Sequence, residues 1–217
     1  MARHPDVQKR VRREIECAIG LREATYADRT QLLYCESVID EVLRFSTIAP
    51  LTVYKLHGET ERKSDVDVVL HTKRVPTRSV LIAPQSDCSD SETDAELEYD
   101  MEVAPESVVI MNLYGVHRDP LVWPDPEHFN PDTNFPIEPE KLATLKRSRN
   151  HLAAFGGGKR MCLGESLARQ ELLLFFVGLM QHFSVMPSSD QSLPSENISR
   201  AGLTRAPLPF SLRFIRG

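Results

Sequence analysis

The run Phe155-Gly-Gly-Gly-Lys-Arg-Met-Cys-Leu-Gly164 constrains the fold more than any other stretch of this 217-residue chain. The segment from Glu165 to Phe183 follows it and is predicted to be a helix, in which Leu172 to Met180 are apolar except for Gly178. A helix that is apolar on nearly every side lies in a protein interior. We therefore expect Cys162 at or just before the N-terminus of a buried helix, where free backbone N–H groups and the helix dipole favour an anion such as a thiolate.

The glycines and the arginine of this run add a second constraint. Without a Cβ atom, the backbone at Gly158 and Gly164 can approach a flat ligand closely. Arg160 offers a rigid guanidinium fork that suits a carboxylate. The run therefore indicates a haem-binding loop, with a buried cysteine behind a flexible loop as the alternative. Phosphate- and dinucleotide-binding patterns are excluded, because Arg160 stands where a P-loop has Ser or Thr and Met161 where a dinucleotide fingerprint has glycine.

Composition excludes several other classes. A net charge of −5 and a pI of about 5.8 do not indicate nucleic-acid binding. The cysteines show no C-x-x-C spacing and are too few for a disulfide framework, which favours a reducing compartment. No stretch reaches the roughly 18 apolar residues of a membrane span, and the N-terminus has no secretory signal. The chain as written is expected to be soluble and without a membrane anchor.

Periodicity and punctuation predict the order of elements. Apolar stripes at helical spacing indicate two helices, β-branched runs indicate two strands, a proline- and aspartate-rich segment indicates an irregular meander, and the last segment indicates a hairpin. In that order the segments are Pro5–Ile19 and Thr30–Phe45, the residues around Leu51 and Val53, Ser107–Leu113, Arg118–Pro139, and Ala201–Ile215.

Glu41 and Arg44 are three residues apart and therefore neighbours on the second predicted helix. A helical wheel places both opposite the apolar stripe of Val38, Ile39 and Val42. By that criterion they form a solvated surface ion pair, which contributes a few tenths of a kcal/mol, about 0.3–0.5.

The ten-residue run resembles the haem loop of cytochrome P-450, the haem-thiolate monooxygenase family. That loop, F-x-x-G-x-R-x-C-x-G, is matched at Phe155, Gly158, Arg160, Cys162 and Gly164. The resemblance implies Cys162 as the axial haem iron ligand, Arg160 as a propionate partner and Phe155 as a ring beside the sulfur. It implies the C-terminal, proximal half of that fold, which is mainly α with small β-sheets.

The resemblance extends along most of the chain. Glu41-Val-Leu-Arg44 matches the family's E-x-x-R pair, which implies a buried structural pair behind the haem loop. Lys55 is a second candidate for a propionate. The third partner of the pair is in doubt, because Thr133 stands near the place of the family's arginine. Asn112–Pro120 and Trp123–Glu127 resemble the family's run leading into the meander, and Leu203–Pro207 resembles the closing hairpin of microsomal, animal-type members. The substrate-lining candidates are Ile48, Val53 and Leu203.

The implied organisation is one partial domain. Its segments are 1–58 with the E-x-x-R helix, 59–92 as an acidic, serine-rich insertion, 93–150 with a strand and the meander, 151–183 with the haem loop and its helix, and 184–217 as a terminal hairpin. We interpret the insertion as a surface loop without a site, with a phosphorylated or partner-binding loop as the alternative.

The implied function is insertion of one atom of O₂ into a small apolar substrate. Haem b would be the cofactor, a NADPH-dependent reductase the electron donor and the endoplasmic reticulum membrane the location. The alternative is a truncated, catalytically inactive fragment that binds haem, or an interaction module. The absence of upstream segments that roof the substrate cavity in the family favours this second interpretation for the 217 residues alone.

Overall fold

The computed structural model describes residues 1–55, 108–158, 161–188 and 192–216. The helices of this part are α1 (Pro5–Ala18), α2 (Leu33–Ser46), α3 (Leu113–Val116), α4 (Pro131–Asn134), α5 (Leu142–His151) and α6 (Glu165–His182), with short 3-10 helices at Tyr26–Thr30 and Pro139–Lys141. The strands are β1 (Leu51–Lys55), β2 (Val108–Asn112), β3 (Phe183–Pro187), β4 (Ser199–Arg200), β5 (Ala206–Pro207) and β6 (Leu212–Arg216). The fold is mainly α with small two-stranded sheets, as expected. The proposed insertion at 59–92 lies outside the described residues.

The main core lies where α1, α2 and α6 meet. Val11 and Ile15 of α1, Val38 of α2, and Leu173 and Val177 of α6 are almost completely buried there. Val11 and Ile15 are four residues apart on α1, as are Leu173 and Val177 on α6, so the two members of each pair lie on the same face of their helix. Burial of such a side chain contributes about 1.5–3 kcal/mol, so this cluster is the main source of stability in the described part.

Two polar side chains of α1 fix its position against neighbouring elements. The Glu14 carboxylate accepts hydrogen bonds from the backbone N–H groups of Tyr34 and Cys35, each at 2.8 Å, in the first turn of α2. Helix N-termini leave such N–H groups unpaired and attract negative charge, so Glu14 acts as a cap supplied by another helix. The buried Gln8 amide pairs with both backbone groups of Val185, at 3.0 Å and 2.6 Å. Helix α1 is thereby joined to β3 as well.

Helix α6 is not buried on every side, and that expectation from its composition is wrong. Of its residues, Leu173, Val177 and Met180 are buried, whereas Phe175 is 71% exposed. Among the described residues, α1 and α2 cover one face of α6 and solvent covers much of the rest. From Leu172 to Met180 every residue except Gly178 is apolar, so composition does not distinguish these faces and the sequence could not predict which one is packed. No helix in the described ranges is long and apolar enough to cross a bilayer.

The C-terminal segment differs from the single hairpin predicted for Ala201–Ile215. Strand β6 pairs antiparallel with β3, from Phe183 opposite Arg216 to Pro187 opposite Leu212. The short β4–β5 pair lies within the connection between those two strands. The prediction missed β3 because it begins directly after His182, with no Gly, Pro or other turn residue to mark the end of α6. It also missed α5, whose sequence is mostly polar and has only one buried residue, Ser148.

Strands β1 and β2, both predicted as strands from their β-branched and apolar residues, pair with each other in antiparallel orientation. Leu51 is opposite Asn112, and Lys55 is opposite Val108. The side chain of Lys55 lies outside the described part. Because α2 ends at Ser46, only a short connection separates the E-x-x-R helix from this sheet.

Candidate functional site

The glycine-rich run forms a closed loop between α5 and α6. The backbone N–H of Cys162 donates to the carbonyl oxygen of Phe155 at 2.8 Å, which joins the two ends of the loop. Gly156 and Gly158 have φ values of 76° and 66°. These lie in the left-handed region that residues with a Cβ atom rarely adopt, so glycine is required at both positions.

The loop places Cys162 three residues before the start of α6. Gly164 is the N-cap of that helix, and Cys162 is exposed. A Cβ atom at Gly164 would lie 3.9 Å from the Cys162 Sγ, an ordinary van der Waals distance, so Gly164 lies directly beside the sulfur. The neighbouring Leu163 is fully exposed, at 100%. The sulfur is therefore accessible beside apolar surface.

Two of the expected haem contacts cannot be placed. Arg160 lies outside the described residues, as does the side chain of Lys55. Phe155 is half-buried at the end of the core, and the Arg169 guanidinium carbon lies 5.3 Å from its ring centroid. Such a cation–π contact holds the ring of Phe155 against α6.

Glu41 and Arg44 are a fully buried ion pair, with both side chains 0% exposed. The helical wheel's prediction of a solvated surface pair is therefore wrong, and the burial that the family resemblance implies is confirmed. The guanidinium binds the carboxylate through two bonds, Nε to Oε2 at 2.7 Å and Nη2 to Oε1 at 2.8 Å. A wheel considers one helix alone, and it could not anticipate that the meander covers this face of α2.

The backbone of His117 and of the meander that follows it supplies the remaining acceptors for Arg44. Its Nη1 donates to the carbonyl oxygens of His117 at 2.8 Å and Pro126 at 2.9 Å, and its Nη2 donates to that of His128 at 3.1 Å. With the two bonds to Glu41, all five guanidinium N–H groups have acceptors. A buried charge is costly unless its hydrogen bonds are complete, and here they are.

Asn134, rather than Thr133, is the third side chain at the pair. The Asn134 Nδ2 donates to Glu41 Oε1 at 3.0 Å and Oε2 at 3.2 Å, and the side chain of Asn134 is buried. Thr133 is exposed. The sequence left the third partner open, because the pattern alone does not show which side of the one-turn helix α4 faces Glu41.

His117 is a buried residue that the sequence analysis did not select. Its ring nitrogens meet Thr47 Oγ1 at 2.9 Å and the backbone N–H of Ala153 at 3.0 Å. Burial, with the charges of Arg44 and Arg118, lowers the pKa of His117 to about 3. The ring is therefore neutral at physiological pH. The sequence signal that could have indicated His117 is its position in Asn112–Pro120, a run that resembles the corresponding segment of the family.

Asp40 was also missed, and it joins three helices. Its buried carboxylate accepts from Arg149 Nε of α5 at 2.9 Å and from Arg169 Nη1 of α6 at 3.0 Å. Arg169 also donates to Glu165 at 2.8 Å. Because Arg169 is the residue that lies over Phe155, this network connects α2 with the glycine loop.

The substrate-lining candidates are exposed apolar residues. Ile48, Val53 and Leu203 are 57%, 59% and 91% exposed. The backbone N–H of Arg205 donates to the carbonyl oxygen of Ile48 at 2.7 Å, which brings the segment after Leu203 next to the end of α2. No contact in the described residues assigns these side chains to a common cavity.

The residues that are described fit a haem with one protein ligand. Within the described ranges, His, Cys, Asp and Glu form no group of three or more that could hold a metal ion. A porphyrin brings four nitrogen ligands of its own, so a single exposed thiol is a sufficient protein contribution. The tight glycine turn and the apolar neighbour Leu163 also suit a flat, largely apolar group.

The sequence and fold match known proteins over most of the chain. The sequence model of the family described as cytochrome P-450 matches residues 1–71 and 91–214. Human cytochrome P-450 2U1 is 33% identical over 217 residues, which are 100% of this chain and 32% of that protein. Mouse cytochrome P-450 2D10 is 32% identical over 218 residues, 98% of this chain and 34% of that protein.

A solved structure of a zebrafish cytochrome P-450 with abiraterone has the same fold over the matched region. The TM-score is 0.68 at 24% sequence identity, and the match covers 99% of this chain and 40% of that one. The chain spans about a third of the length of the curated relatives that it matches. With the match to the family's sequence model and the agreement in fold, these findings show that the chain belongs to the cytochrome P-450 family.

Proposed function

We propose that the chain is part of a haem-thiolate monooxygenase in which Cys162 is the axial iron ligand. The observation that carries this proposal is the position of Cys162 on a glycine turn, with its backbone N–H bonded to Phe155 and its side chain exposed. Family membership supports a haem iron cofactor, and the proposed form is haem b. When bound, that group supplies the iron at which O₂ is activated, and a thiolate ligand favours cleavage of the O–O bond.

The remaining roles at the loop are assigned by residue. Phe155, Gly158 and Gly164 shape the proximal surface, Arg160 and Lys55 bind the propionates, and Glu41 with Arg44 forms the structural support. The buried pair suits this role because its hydrogen bonds join α2 to the meander. The proposed domain organisation is one partial domain with five segments, which are 1–58, 59–92, 93–150, 151–183 and 184–217.

The proposed substrate is a small apolar organic molecule. Ile48, Val53 and Leu203 would contribute apolar surface to its site, and the bond between Arg205 and Ile48 supports a common location for the first and last of these. The proposed electron donor is a NADPH-dependent reductase, which Lys159 and Arg160 would help to steer through its negative charge. The proposed location is the endoplasmic reticulum membrane, on the basis of the resemblance of Leu203–Pro207 to microsomal members of the family.

The second candidate is a chain that binds haem without turnover, or that serves as an interaction module. Large apolar side chains on the loop and on α6 are exposed in the described part, among them Leu163 and Phe175. An exposed apolar surface of this kind leaves a bound haem in contact with water. We therefore expect the 217 residues alone to bind haem but not to oxidise a substrate.

A reduced, carbon-monoxide difference spectrum of the haem-loaded chain tests the ligand. The native chain should show the red-shifted Soret band of thiolate ligation. Cys162→Ala should abolish it, whereas the matched control Cys17→Ala, at another exposed cysteine, should retain it. Equal spectra for the two variants would overturn the assignment of Cys162. Product formation by the chain with reductase and NADPH would refute the second candidate.

A further inference from the structure

An uninterrupted set of hydrogen bonds joins the end of α2 to the start of the glycine loop. Thr47 Oγ1 donates to the carbonyl oxygen of Arg44 at 2.6 Å, and His117 Nδ1 lies 2.9 Å from the same Oγ1. On the other side of the ring, the Ala153 backbone N–H donates to His117 Nε2 at 3.0 Å. His117 is thus the one side chain in this set that bridges two segments far apart in sequence.

The partners determine which nitrogen of His117 carries the proton. A backbone N–H can only donate, so Nε2 of His117 is the acceptor for Ala153. The proton is therefore on Nδ1 of His117, which donates to Thr47 Oγ1. The Thr47 hydroxyl in turn donates its own proton to the backbone carbonyl oxygen of Arg44. Every donor has an acceptor in this arrangement, and it requires a neutral ring. The ring is 0% exposed, so water does not replace either bond.

The bond at Ala153 continues into the loop. The Gly156 N–H donates to the Ala153 carbonyl oxygen at 2.9 Å, and the Cys162 N–H donates to the Phe155 carbonyl oxygen at 2.8 Å. Ala153, which His117 holds, is therefore only two residues before Phe155, whose carbonyl oxygen binds the N–H of Cys162 and closes the loop. The carbonyl oxygen of His117 meanwhile accepts from Arg44 at 2.8 Å. His117 is joined to the Glu41–Arg44 pair through its backbone and to the loop through its ring.

We propose that His117 is a positioning residue, which holds the glycine loop at Ala153 and thereby fixes where Cys162 is presented. Its importance for haem ligation rests on the proposed function. The tether itself is a property of the folded chain without haem. Loss of the bond to Ala153 alone should loosen the loop while leaving the Glu41–Arg44 pair and the core intact.

Two substitutions separate this bond from the other functions of the ring. In His117→Gln the amide oxygen can reach the position of Nε2 and accept from Ala153. In His117→Asn the shorter side chain reaches only the position of Nδ1 and the Thr47 hydroxyl. Both variants replace an aromatic ring by an amide, so a general loss of packing affects both alike.

Amide hydrogen exchange of the segment around Ala153 is measured on the 217-residue chain, with the free energy of unfolding of each variant from urea titration. We expect exchange about tenfold faster in His117→Asn than in His117→Gln, as for a lost buried hydrogen bond. Equal exchange in the two variants, after correction for global stability, would overturn the proposal. If neither variant folds, ¹⁵N spectra of the native histidines decide, since a proton on Nε2 instead of Nδ1 is incompatible with the tether.

The spectrum of the haem-loaded variants tests the consequence for ligation. The fraction of the thiolate-type band should be smaller in His117→Asn than in His117→Gln, and equal fractions would refute the link from tether to ligand. Failure of the proposed function is recognised separately, because Cys162→Ala would then retain the band while the exchange of Ala153 still differed between the two His117 variants.

Discussion

At the scale of single residues, Asn134 completes the buried Glu41–Arg44 pair. Replacement by alanine removes a donor shared by both oxygens of Glu41 and leaves a carboxylate less satisfied. We expect Asn134→Ala to lower the free energy of unfolding by about 1–3 kcal/mol. The matched control is Thr133→Ala, at the exposed neighbour, with a change within about 0.5 kcal/mol. Urea titration measures both, and a larger loss for Thr133→Ala would contradict the assignment.

His117 should make stability depend on pH. Burial, followed by the charges of Arg44 and Arg118, lowers the pKa of His117 to about 3, from an ordinary value of 6.5. Between these values the unfolded chain binds a proton that the folded chain does not, so stability falls as pH decreases through this window. The slope from this group is about 1.4 kcal/mol per pH unit.

The comparison with His117→Gln isolates this effect. The ion pair of Glu41 with Arg44 and the other acidic groups are present in both proteins, so their contributions cancel in the comparison. Urea titrations between pH 6 and pH 4 should show a steeper loss of stability for the native chain than for the variant. Parallel pH profiles would show that His117 is not held neutral.

At the scale of elements, Asp40 joins α2, α5 and α6 through Arg149 and Arg169. Asp40→Asn keeps the shape of the side chain and removes its charge. We expect it to lower the free energy of unfolding by about 1–2 kcal/mol, because two charge-assisted bonds to a buried carboxylate weaken while their arginine partners are partly exposed. The control is Glu165→Gln, which affects a partly exposed pair on α6 and should cost less than about 0.5 kcal/mol. Equal losses in urea titration would refute a special role for Asp40.

The elements were predicted unequally well, for physical reasons. Helices α1 and α2 were recognised because each has a regular apolar stripe facing the core. Helix α5 was not, since its contact with the rest depends on polar residues such as Arg149. Strand β3 was missed because it begins directly after α6, with no turn residue between the two elements. Local patterns predict elements that bury one regular apolar face, and they miss elements that are mostly polar or that no turn residue separates from their neighbour.

At the scale of the whole molecule, α6 has a packed face and an exposed apolar face. Phe175 is 71% exposed, whereas Leu173 is 1% exposed. Exposed apolar surface promotes self-association, so Phe175→Ser should increase the monomer fraction of the chain without lowering its stability. The matched variant Leu173→Ser creates a cavity and buries a hydroxyl, and should lower stability by several kcal/mol, about 3–5. Light scattering and urea titration measure the two effects, and a loss of stability in Phe175→Ser would contradict this division.

Sequence alone determined the family, the glycine loop and the identity of the candidate ligand. These depend on short-range chemistry: positive φ values that require Gly156 and Gly158, and a cysteine at fixed spacing before a helix. The tertiary structure decided which side of α2 is covered, and therefore that Glu41 and Arg44 are buried, that Asn134 rather than Thr133 joins them, and that His117 reaches Ala153. Such contacts bring together residues separated by 36 to 93 positions, and only the packing of the elements determines which side chains meet there.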